Sequence, residues 1–259
     1  MKPLKIFVIF ILCFLINPRL AQAADITNIA LFGVDQEIEA VMIFSYNKTT
    51  RKIFITAIPQ DTELFVAETD QYLKLQQIND IPLTLSILNH NFDLNIDKYV
   101  SFDMTAVEKI VDDIGGAEIN LSSRELKEFT NLTVSEEYPD YYLLNGSEAI
   151  AYSKLQGLGG GYFGKVMRQQ NLTTLIGQKV KAFPKLKLIS TVTNTIPYVE
   201  TNLTANEIIS LSTSIAFGNN DRLKKLILPD PNLVEIREGK LIPNTLEKNI
   251  SQWRSKVYS

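Results

Sequence analysis

The densest set of residues suited to chemistry lies between positions 157 and 170. Five glycines fall within the eight residues 157–164, and Lys165 and Arg168 follow one turn apart at the start of a segment with helical character. Bare backbone N–H groups, the positive end of a helix and two cations together favour a phosphate or carboxylate ligand. The alternative is a flexible joint between two helices, with solvated basic residues. The segment is therefore the first candidate for an anion-binding site.

Two nucleotide-binding motifs match the spacing of this loop. Gly159, Gly164 and Lys165 fit a P-loop, but Val166 stands where a magnesium-binding hydroxyl belongs. A dinucleotide-binding fingerprint also fits three of the glycines. Both motifs require a strand before the loop, whereas residues 145–155 have the spacing of a helix. Both interpretations are therefore set aside.

Three carboxylates follow or open predicted strands. Asp35 ends the first strand, Glu39 opens the second, and Asp61 comes shortly after the third. At one edge of a sheet they could converge on a hard cation such as Mg²⁺; the alternative is that each caps a turn. The only histidine, His90, has no Gly-x-Ser-x-Gly context and is interpreted as structural.

The first 23 residues have the order of a secretory signal peptide. Lys2 and Lys5 precede an apolar run over residues 6–16, and Ala21-Gln22-Ala23 gives a small-x-small cleavage pattern. The apolar run is short for a bilayer span. The sequence therefore predicts export, secreted or associated with the cell envelope, and an uncleaved N-terminal membrane anchor is the alternative.

Charge and cysteine content exclude several classes of protein. Cleavage after Ala23 would remove three basic residues and no acidic one, so the net charge would fall from −3 to −6. Such an acidic protein is not expected to bind nucleic acid. The only cysteine, Cys13, lies in the predicted signal peptide, so a mature chain would have neither disulfides nor thiol chemistry.

Strand and helix patterns alternate through the remaining chain, and several strands are linked as hairpins. This mixture favours a mixed-sheet α/β or α+β sandwich, and 45% apolar residues suffice for one core. A single domain over residues 24–259 is predicted. The predicted strands are 26–31, 40–46, 52–58, 99–102, 118–121 and 223–228, and the predicted helices are 83–91, 104–114, 145–155, 166–183, 206–216 and 245–257.

Seven sequence motifs occur in order along the chain. They are Ile29-Ala-Leu-Phe-Gly-Val-Asp35, Glu39-Ala-Val-Met-Ile-Phe44, Thr56-Ala-Ile-Pro-Gln-Asp-Thr62, Tyr99-Val-Ser-Phe-Asp103, Ile110-Val-Asp-Asp-Ile-Gly-Gly-Ala-Glu-Ile119, Leu144-Asn-Gly-Ser-Glu-Ala-Ile-Ala-Tyr-Ser-Lys154 and Gly160-Gly-Tyr-Phe-Gly-Lys-Val-Met-Arg-Gln169. Together these motifs resemble those of the LytR-CpsA-Psr (LCP) family of bacterial cell-envelope proteins. The likeness is strongest over residues 26–182 and weaker towards the C-terminus.

The resemblance implies both a fold and an activity. The fold is an α-β-α sandwich with a central mixed β-sheet flanked by helices and a hydrophobic groove for a polyprenyl chain. The activity is the transfer of a glycopolymer from polyprenyl pyrophosphate to peptidoglycan at the outer leaflet of the cytoplasmic membrane. Arginines and Mg²⁺ neutralise the pyrophosphate in such a phosphoryl transfer.

Residue by residue, the resemblance implies three sets of functional positions. They are Asp35 and Glu39 as Mg²⁺ ligands, Lys154, Lys165, Arg168 and Gln60 as pyrophosphate-binding residues, and Asp61, Arg168 and Gln169 as catalytic residues.

The chain departs from the family pattern at the arginines. Gln60 replaces the arginine before Asp61, Lys154-Leu155-Gln156 replaces an Arg-x-Arg, and Lys165 replaces the first arginine of the last motif, in which Tyr162 replaces an aspartate. Lysine keeps the charge but cannot form the bidentate contact of arginine. The departures predict a weakened transferase. The alternative is a non-catalytic protein that binds polyprenyl lipid, wall glycan or a partner envelope enzyme.

Overall fold

The computed structural model describes residues 26–182, 190–191, 194–204, 206–208 and 223–259. The predicted signal peptide, residues 1–23, and most of the predicted helix 206–216 lie outside these residues. The strands are β1 (Ile26–Asp35), β2 (Glu37–Asn47), β3 (Lys52–Ile58), β4 (Glu63–Val66), β5 (Gln71–Lys74), β6 (Tyr99–Asp103), β7 (Ala117–Ile119), β8 (Thr133–Val134), β9 (Tyr142–Leu144), β10 (Val199–Thr201), β11 (Leu223–Ile227), β12 (Val234–Arg237) and β13 (Lys240–Pro243). The helices are α1 (Ile81–Phe92), α2 (Met104–Asp113), α3 (Gly146–Lys154), α4 (Gly164–Ala182) and α5 (Leu246–Val257).

A six-stranded mixed sheet has the order β10-β6-β1-β2-β3-β11. β1, β2 and β3 form an antiparallel meander, in which Phe44 pairs with Ile29 on one side and Ile55 on the other. β11 then joins β3 in the parallel direction. Side chains of both faces of β2 and β3 are buried, which explains the uninterrupted apolar runs over residues 40–44 and 53–55.

Helices α1 and α5 pack in one apolar cluster with one face of this sheet. The cluster joins Phe32 and Ile43 of the sheet to Phe92 of α1 and Trp253 of α5. Trp253 also donates its indole N–H to the hydroxyl of Thr56 over 2.9 Å, so its polar atom is satisfied inside the core. The predicted central mixed sheet flanked by helices is confirmed.

A second apolar cluster joins α2, α3, α4 and the small sheet β7-β9-β8. Asn145 and Glu148 form a capping box at the start of α3, which fixes where this helix begins. Gly146 lies so close to α2 that a Cβ atom there would be 2.3 Å from the carbonyl oxygen of Glu108. The buried members of this cluster are Val111, Ala117, Ile119, Leu121, Leu144, Ala149, Tyr152 and Leu172.

The described residues divide into two compact units. One holds β1–β5, α1, β11–β13 and α5, and the other holds α2–α4 with β7–β9. The single domain over residues 24–259 and the hydrophobic groove stay predictions. Over the described part of the chain, no helix combines the length and apolar character needed to cross a bilayer.

Candidate functional site

The glycine-rich loop connects α3 to α4. Gly157, Gly159, Gly160 and Gly161 all have positive φ angles, between 56° and 118°, a region that residues with a Cβ atom adopt rarely. A helix precedes the loop, as predicted, which confirms the ground for setting aside the P-loop and the dinucleotide fingerprint. The sequence thus builds a sharp reversal directly before a long helix.

The loop folds tightly against the first residue of α4. A Cβ atom at Gly164 would lie 2.1 Å from the carbonyl oxygen of Gly159, so only glycine fits there. A 3₁₀ turn over Gly161–Phe163 leads into the helix, and the N–H of Gly164 donates to the carbonyl of Gly161. One of the N–H groups predicted to face an anion is therefore used within the loop.

Arg168 lies on the first turns of α4 and is buried. Its side chain is 6% exposed, and its Nε donates to Oε1 of Glu125 over 2.6 Å. Its Nη1 donates to the carbonyl of Leu155 over 3.3 Å. The guanidinium is thus tied to the segment that leads into the glycine loop and to a carboxylate outside it.

Glu125 begins the 3₁₀ turn Glu125–Glu128. Its second oxygen, Oε2, accepts the backbone N–H of Ser122 over 2.8 Å, so both oxygens are bonded. Burial by itself raises the pKa of the Glu125 carboxyl, but the hydrogen bonds from Ser122 and the contact with Arg168 outweigh burial and lower that pKa. The pair is therefore an ion pair of charged partners.

Other polar side chains near the start of α4 are also buried. Gln169 and Gln170 are buried, and each has a polar or electrostatic partner. Burial raises the pKa of the Tyr152 hydroxyl, its hydrogen bond with Asn171 lowers that pKa, and the charges of Glu125 and Arg168 act in opposite directions. The start of α4 thus buries a charged pair and several polar side chains, whereas the glycine loop before it is largely exposed.

The two predicted lysines flank the same loop. Lys154 lies in the last turn of α3, where a cation is favoured by the helix dipole, and Lys165 is the second residue of α4. Both side chains are half-buried, and both have partners. The loop, Lys154, Lys165, Arg168 and Gln169 thus belong to one unit of the structure.

Asp35 and Glu39 lie at the tip of the β1–β2 hairpin, in the other unit. Gln36 alone connects the strands and has a φ of 53°. The register shifts between Gly33 and Val34, so Glu39 is the additional residue of a β-bulge. Bulges change the direction of a side chain, and here the residue affected is Glu39, four positions after Asp35.

Asn79 holds this hairpin tip. Its Oδ1 accepts the N–H of Ile38 over 3.1 Å, and its Nδ2 donates to the carbonyl of Gln36 over 3.1 Å. Gln60 adds a third contact, because its Nε2 donates to the carbonyl of Ile38. The amide group predicted to bind pyrophosphate is therefore engaged in positioning the hairpin.

Asp61 follows Gln60 in the turn between β3 and β4. Its carboxylate lies 3.3 Å from the ammonium of Lys74 at the end of β5, and both side chains are partly exposed. The turn is fixed by the N–H of Thr62, which donates to the carbonyl of Pro59 over 3.0 Å. Asp61 thus has a positioned carboxylate with a cationic neighbour.

The carboxylates of the hairpin tip suit Mg²⁺ as a donor set. This ion takes one or two carboxylates, keeps several waters and completes its shell with substrate phosphates. Asp35 is exposed and Glu39 half-buried, and both have partners. Among the described residues, no group of three or more His, Cys, Asp or Glu side chains is placed to hold a metal ion.

His90 lies in the last turn of α1, away from these carboxylates in sequence. Its ring packs against Phe65 with centroids 5.6 Å apart. This contact agrees with the structural role predicted for it.

Sequence reasoning missed three residues that organise these sites. Glu125, Asn79 and Lys74 lie 43, 41 and 13 residues along the chain from the residues that they contact, which are Arg168, Ile38 and Asp61. Each is an ordinary polar residue in a polar segment. The Ser-x-x-Glu spacing of Ser122 and Glu125, typical of a helix start, was the one available signal.

The profile of the LytR_cpsA_psr family matches residues 15–256, which is nearly the whole chain. The protein therefore belongs to the LytR_cpsA_psr family, and the predicted resemblance is confirmed.

Curated relatives share about a quarter of the residues. Regulatory protein MsrR of Staphylococcus aureus is 24% identical over 212 residues, which cover 78% of this chain and 62% of MsrR. The polyisoprenyl-teichoic acid–peptidoglycan teichoic acid transferase TagU of Halalkalibacterium halodurans is 24% identical over 176 residues, or 64% of this chain and 57% of TagU. The chain thus spans less than two thirds of the length of these relatives.

Solved structures show the same fold. The crystal structure of Bacillus subtilis TagT superposes with a TM-score of 0.72 at 17% identity, covering 93% of this chain and 95% of TagT. A structure of the LytR-CPS2A-psr family protein YwtF (TagT) with bound octaprenyl pyrophosphate lipid has a TM-score of 0.69 at 18% identity, covering 93% and 95%. The LCP-like fold is thereby confirmed.

Proposed function

We propose that this protein binds a polyprenyl-pyrophosphate-linked glycopolymer and transfers the glycopolymer to peptidoglycan, at a rate below that of relatives with a full set of arginines. The observation that carries the proposal is the fixed guanidinium of Arg168 beside the glycine loop. Membership of the family and the transferase name of TagU support it. The octaprenyl pyrophosphate bound to TagT supports a polyprenyl ligand and an apolar groove.

The reaction breaks a phosphoanhydride bond and forms a phosphate ester bond. An acceptor hydroxyl oxygen forms a bond to the phosphorus that carries the glycopolymer. The bridging P–O bond breaks, and polyprenyl phosphate leaves with the bonding electrons. The hydroxyl proton passes to a carboxylate, the role that the family resemblance implies for Asp61. The resemblance likewise implies that the guanidinium of Arg168 compensates charge on phosphate oxygens.

Mg²⁺ fits the carboxylates of the hairpin tip. Asp35 and Glu39 would hold it, and when bound it would supply charge neutralisation at the pyrophosphate. Asn79 and Gln60 would keep the hairpin tip in shape through their contacts with Gln36 and Ile38.

Two features support a reduced rate. Lys154 and Lys165 stand where arginines would make paired contacts to phosphate oxygens, and lysine contributes a point charge only. Arg168 in turn shares its charge with Glu125 in a buried pair. A pyrophosphate would therefore receive fewer paired contacts than a full arginine set provides, and the charge of Arg168 is compensated in part by Glu125.

The proposal places the protein outside the cytoplasmic membrane. Residues 1–23 would direct export and be removed, whereas an uncleaved segment would tether the chain at the outer leaflet. N-terminal sequencing of the exported protein decides this: a start at Ala24 supports cleavage, and a start at Met1 or in the residues directly after it supports the anchor.

The activity is tested with a pyrophosphate-linked glycolipid donor and peptidoglycan. We expect release of polyprenyl phosphate that requires Mg²⁺, is abolished by EDTA and is lost in Asp35→Asn. Asp70→Asn, an exposed aspartate in the turn between β4 and β5, is the matched control and should retain release. No release from the wild-type protein with any such donor would reject transferase activity.

A non-catalytic lipid-binding protein is the second candidate. The observation that favours it is the engagement of both Arg168 and Gln60 by groups of the protein itself. It predicts saturable binding of a polyprenyl pyrophosphate without turnover. Binding measured by calorimetry together with an absence of released polyprenyl phosphate would establish it over the transferase.

A further inference from the structure

Two contacts on different nitrogens hold the guanidinium of Arg168. Nε donates to Glu125 over 2.6 Å, and Nη1 donates to the carbonyl of Leu155 over 3.3 Å. A planar group with two such anchors cannot rotate about its long axis without breaking one of them. The N–H groups beyond these two contacts therefore point in a fixed direction.

The anchor itself is held in place. Ser122 donates its N–H to Oε2 of Glu125 over 2.8 Å, and the N–H of Glu125 donates to the Ser122 hydroxyl over 3.3 Å. Since each carboxylate oxygen has its own donor, the turn at residues 122–125 sets the orientation of the carboxylate. That orientation then passes to Arg168.

The burial of this pair argues for a role beyond stability. The side chains of Arg168 and Glu125 are 6% and 11% exposed. Buried ion pairs contribute little net stability compared with apolar residues of similar volume, because both charges lose their hydration. A buried pair beside a loop with anion-binding character is therefore explained better by what it orients than by what it stabilises.

We propose that Glu125 is a positioning residue for Arg168. It sets the direction in which the guanidinium meets a pyrophosphate oxygen, and it does so without contacting the ligand. The inference rests on the proposed function, since it assumes a pyrophosphate ligand. It adds a residue that lies outside the seven stretches that resemble the family.

The test is a double-mutant cycle on the full chain, with geranylgeranyl pyrophosphate as the probe and affinity measured by calorimetry. Glu125→Gln replaces one carboxylate oxygen by an NH₂ group, which is a donor. That group faces another donor, either the N–H of Ser122 or the Nε–H of Arg168, so one of the two hydrogen bonds is lost. We expect about tenfold weaker binding in Glu125→Gln, but a change of about twofold or less when the same substitution is made in Arg168→Lys. Glu128→Gln, an exposed glutamate in the same 3₁₀ turn, is the matched control and should bind as the wild type does.

The outcomes separate this inference from the proposed function. Binding by the wild type with equal losses in both backgrounds would overturn the positioning role alone. No binding by the wild type would overturn the proposed function, and the positioning role with it. Glu125→Asp keeps the charge but shortens the side chain, and it provides a second test. Weaker pyrophosphate binding by this variant with an unchanged thermal midpoint supports the positioning role. Unchanged binding overturns that role.

Discussion

Lys74 places its ammonium 3.3 Å from the carboxylate of Asp61, although 13 residues separate them. The contact fixes a carboxylate that the proposed transfer uses as a proton acceptor. We expect Lys74→Met to slow release of polyprenyl phosphate by about tenfold, because small displacements of a catalytic group are costly. The free energy of unfolding should fall by less than about 1 kcal/mol, since the pair is partly exposed.

The matched control for this prediction is Lys240→Met. Lys240 pairs with Glu63 over 2.5 Å, two residues from Asp61, and its loss should leave the release rate near that of the wild type. An equal loss of rate in Lys74→Met and Lys240→Met would contradict a specific role for the contact between Lys74 and Asp61.

Asn79 closes the tip of the β1–β2 hairpin through Gln36 and Ile38. Asn79→Ala removes two hydrogen bonds, each worth about 1 kcal/mol. We expect faster hydrogen exchange at the Ile38 amide, which loses its acceptor, while the amides of the β2–β3 pairing exchange at the wild-type rate. Half-maximal activity should also require a higher Mg²⁺ concentration than in the wild type. An unchanged exchange rate at Ile38 would show that Gln60 suffices to hold the tip.

Two glycines of α4 give a matched pair of alanine substitutions. A Cβ atom added at Gly164 would lie 2.1 Å from the carbonyl oxygen of Gly159. A Cβ atom added at Gly177 would have no atom within 4 Å other than those of its own helix backbone. We expect Gly177→Ala to raise the free energy of unfolding by up to about 1 kcal/mol. Gly164→Ala should lower it and also reduce pyrophosphate binding, because the loop must shift. Urea unfolding and calorimetry measure the two effects, and a stable Gly164→Ala with normal binding would contradict them.

The sequence predicted the main sheet and its helices well, because their apolar periodicity is strong. β3 was predicted as Lys52–Ile58, and α2 and α5 within one residue at each end. The hairpins β4–β5 and β12–β13 were missed, because their four-residue strands carry too few apolar positions for a pattern; β5 and β12 are largely exposed. Short strands of this kind are set by their partners rather than by their own residues.

The candidate site was predictable in its residue types but not in its contacts. The glycine loop and its following helix came from local sequence, and the structure confirms both. Glu125 could not be assigned to Arg168, since 43 residues separate them and only the packing of α4 brings them together. Likewise, nothing local to Gln60 indicates that its amide group reaches Ile38. The roles of the predicted site residues stay predictions.

The Glu125–Arg168 pair makes a prediction about acid stability. The pKa of Glu125 is lowered from its usual 4.5 because the contacts with Ser122 and Arg168 outweigh burial. A carboxyl with a lowered pKa in the folded state stabilises the fold above its unfolded pKa, and that stabilisation is lost as pH falls through the folded pKa. We therefore expect wild type to be more stable than Glu125→Gln at neutral pH, with the difference shrinking below about pH 4.5.

Urea unfolding of both proteins between about pH 7 and pH 3 measures this difference. In an Arg168→Met background the shrinkage should be smaller, because the Arg168 contribution is gone while the Ser122 hydrogen bonds remain. A difference that widened on acidification would mean that burial dominates the ionisation of Glu125, and the carboxylate would then be a poor anchor for the guanidinium.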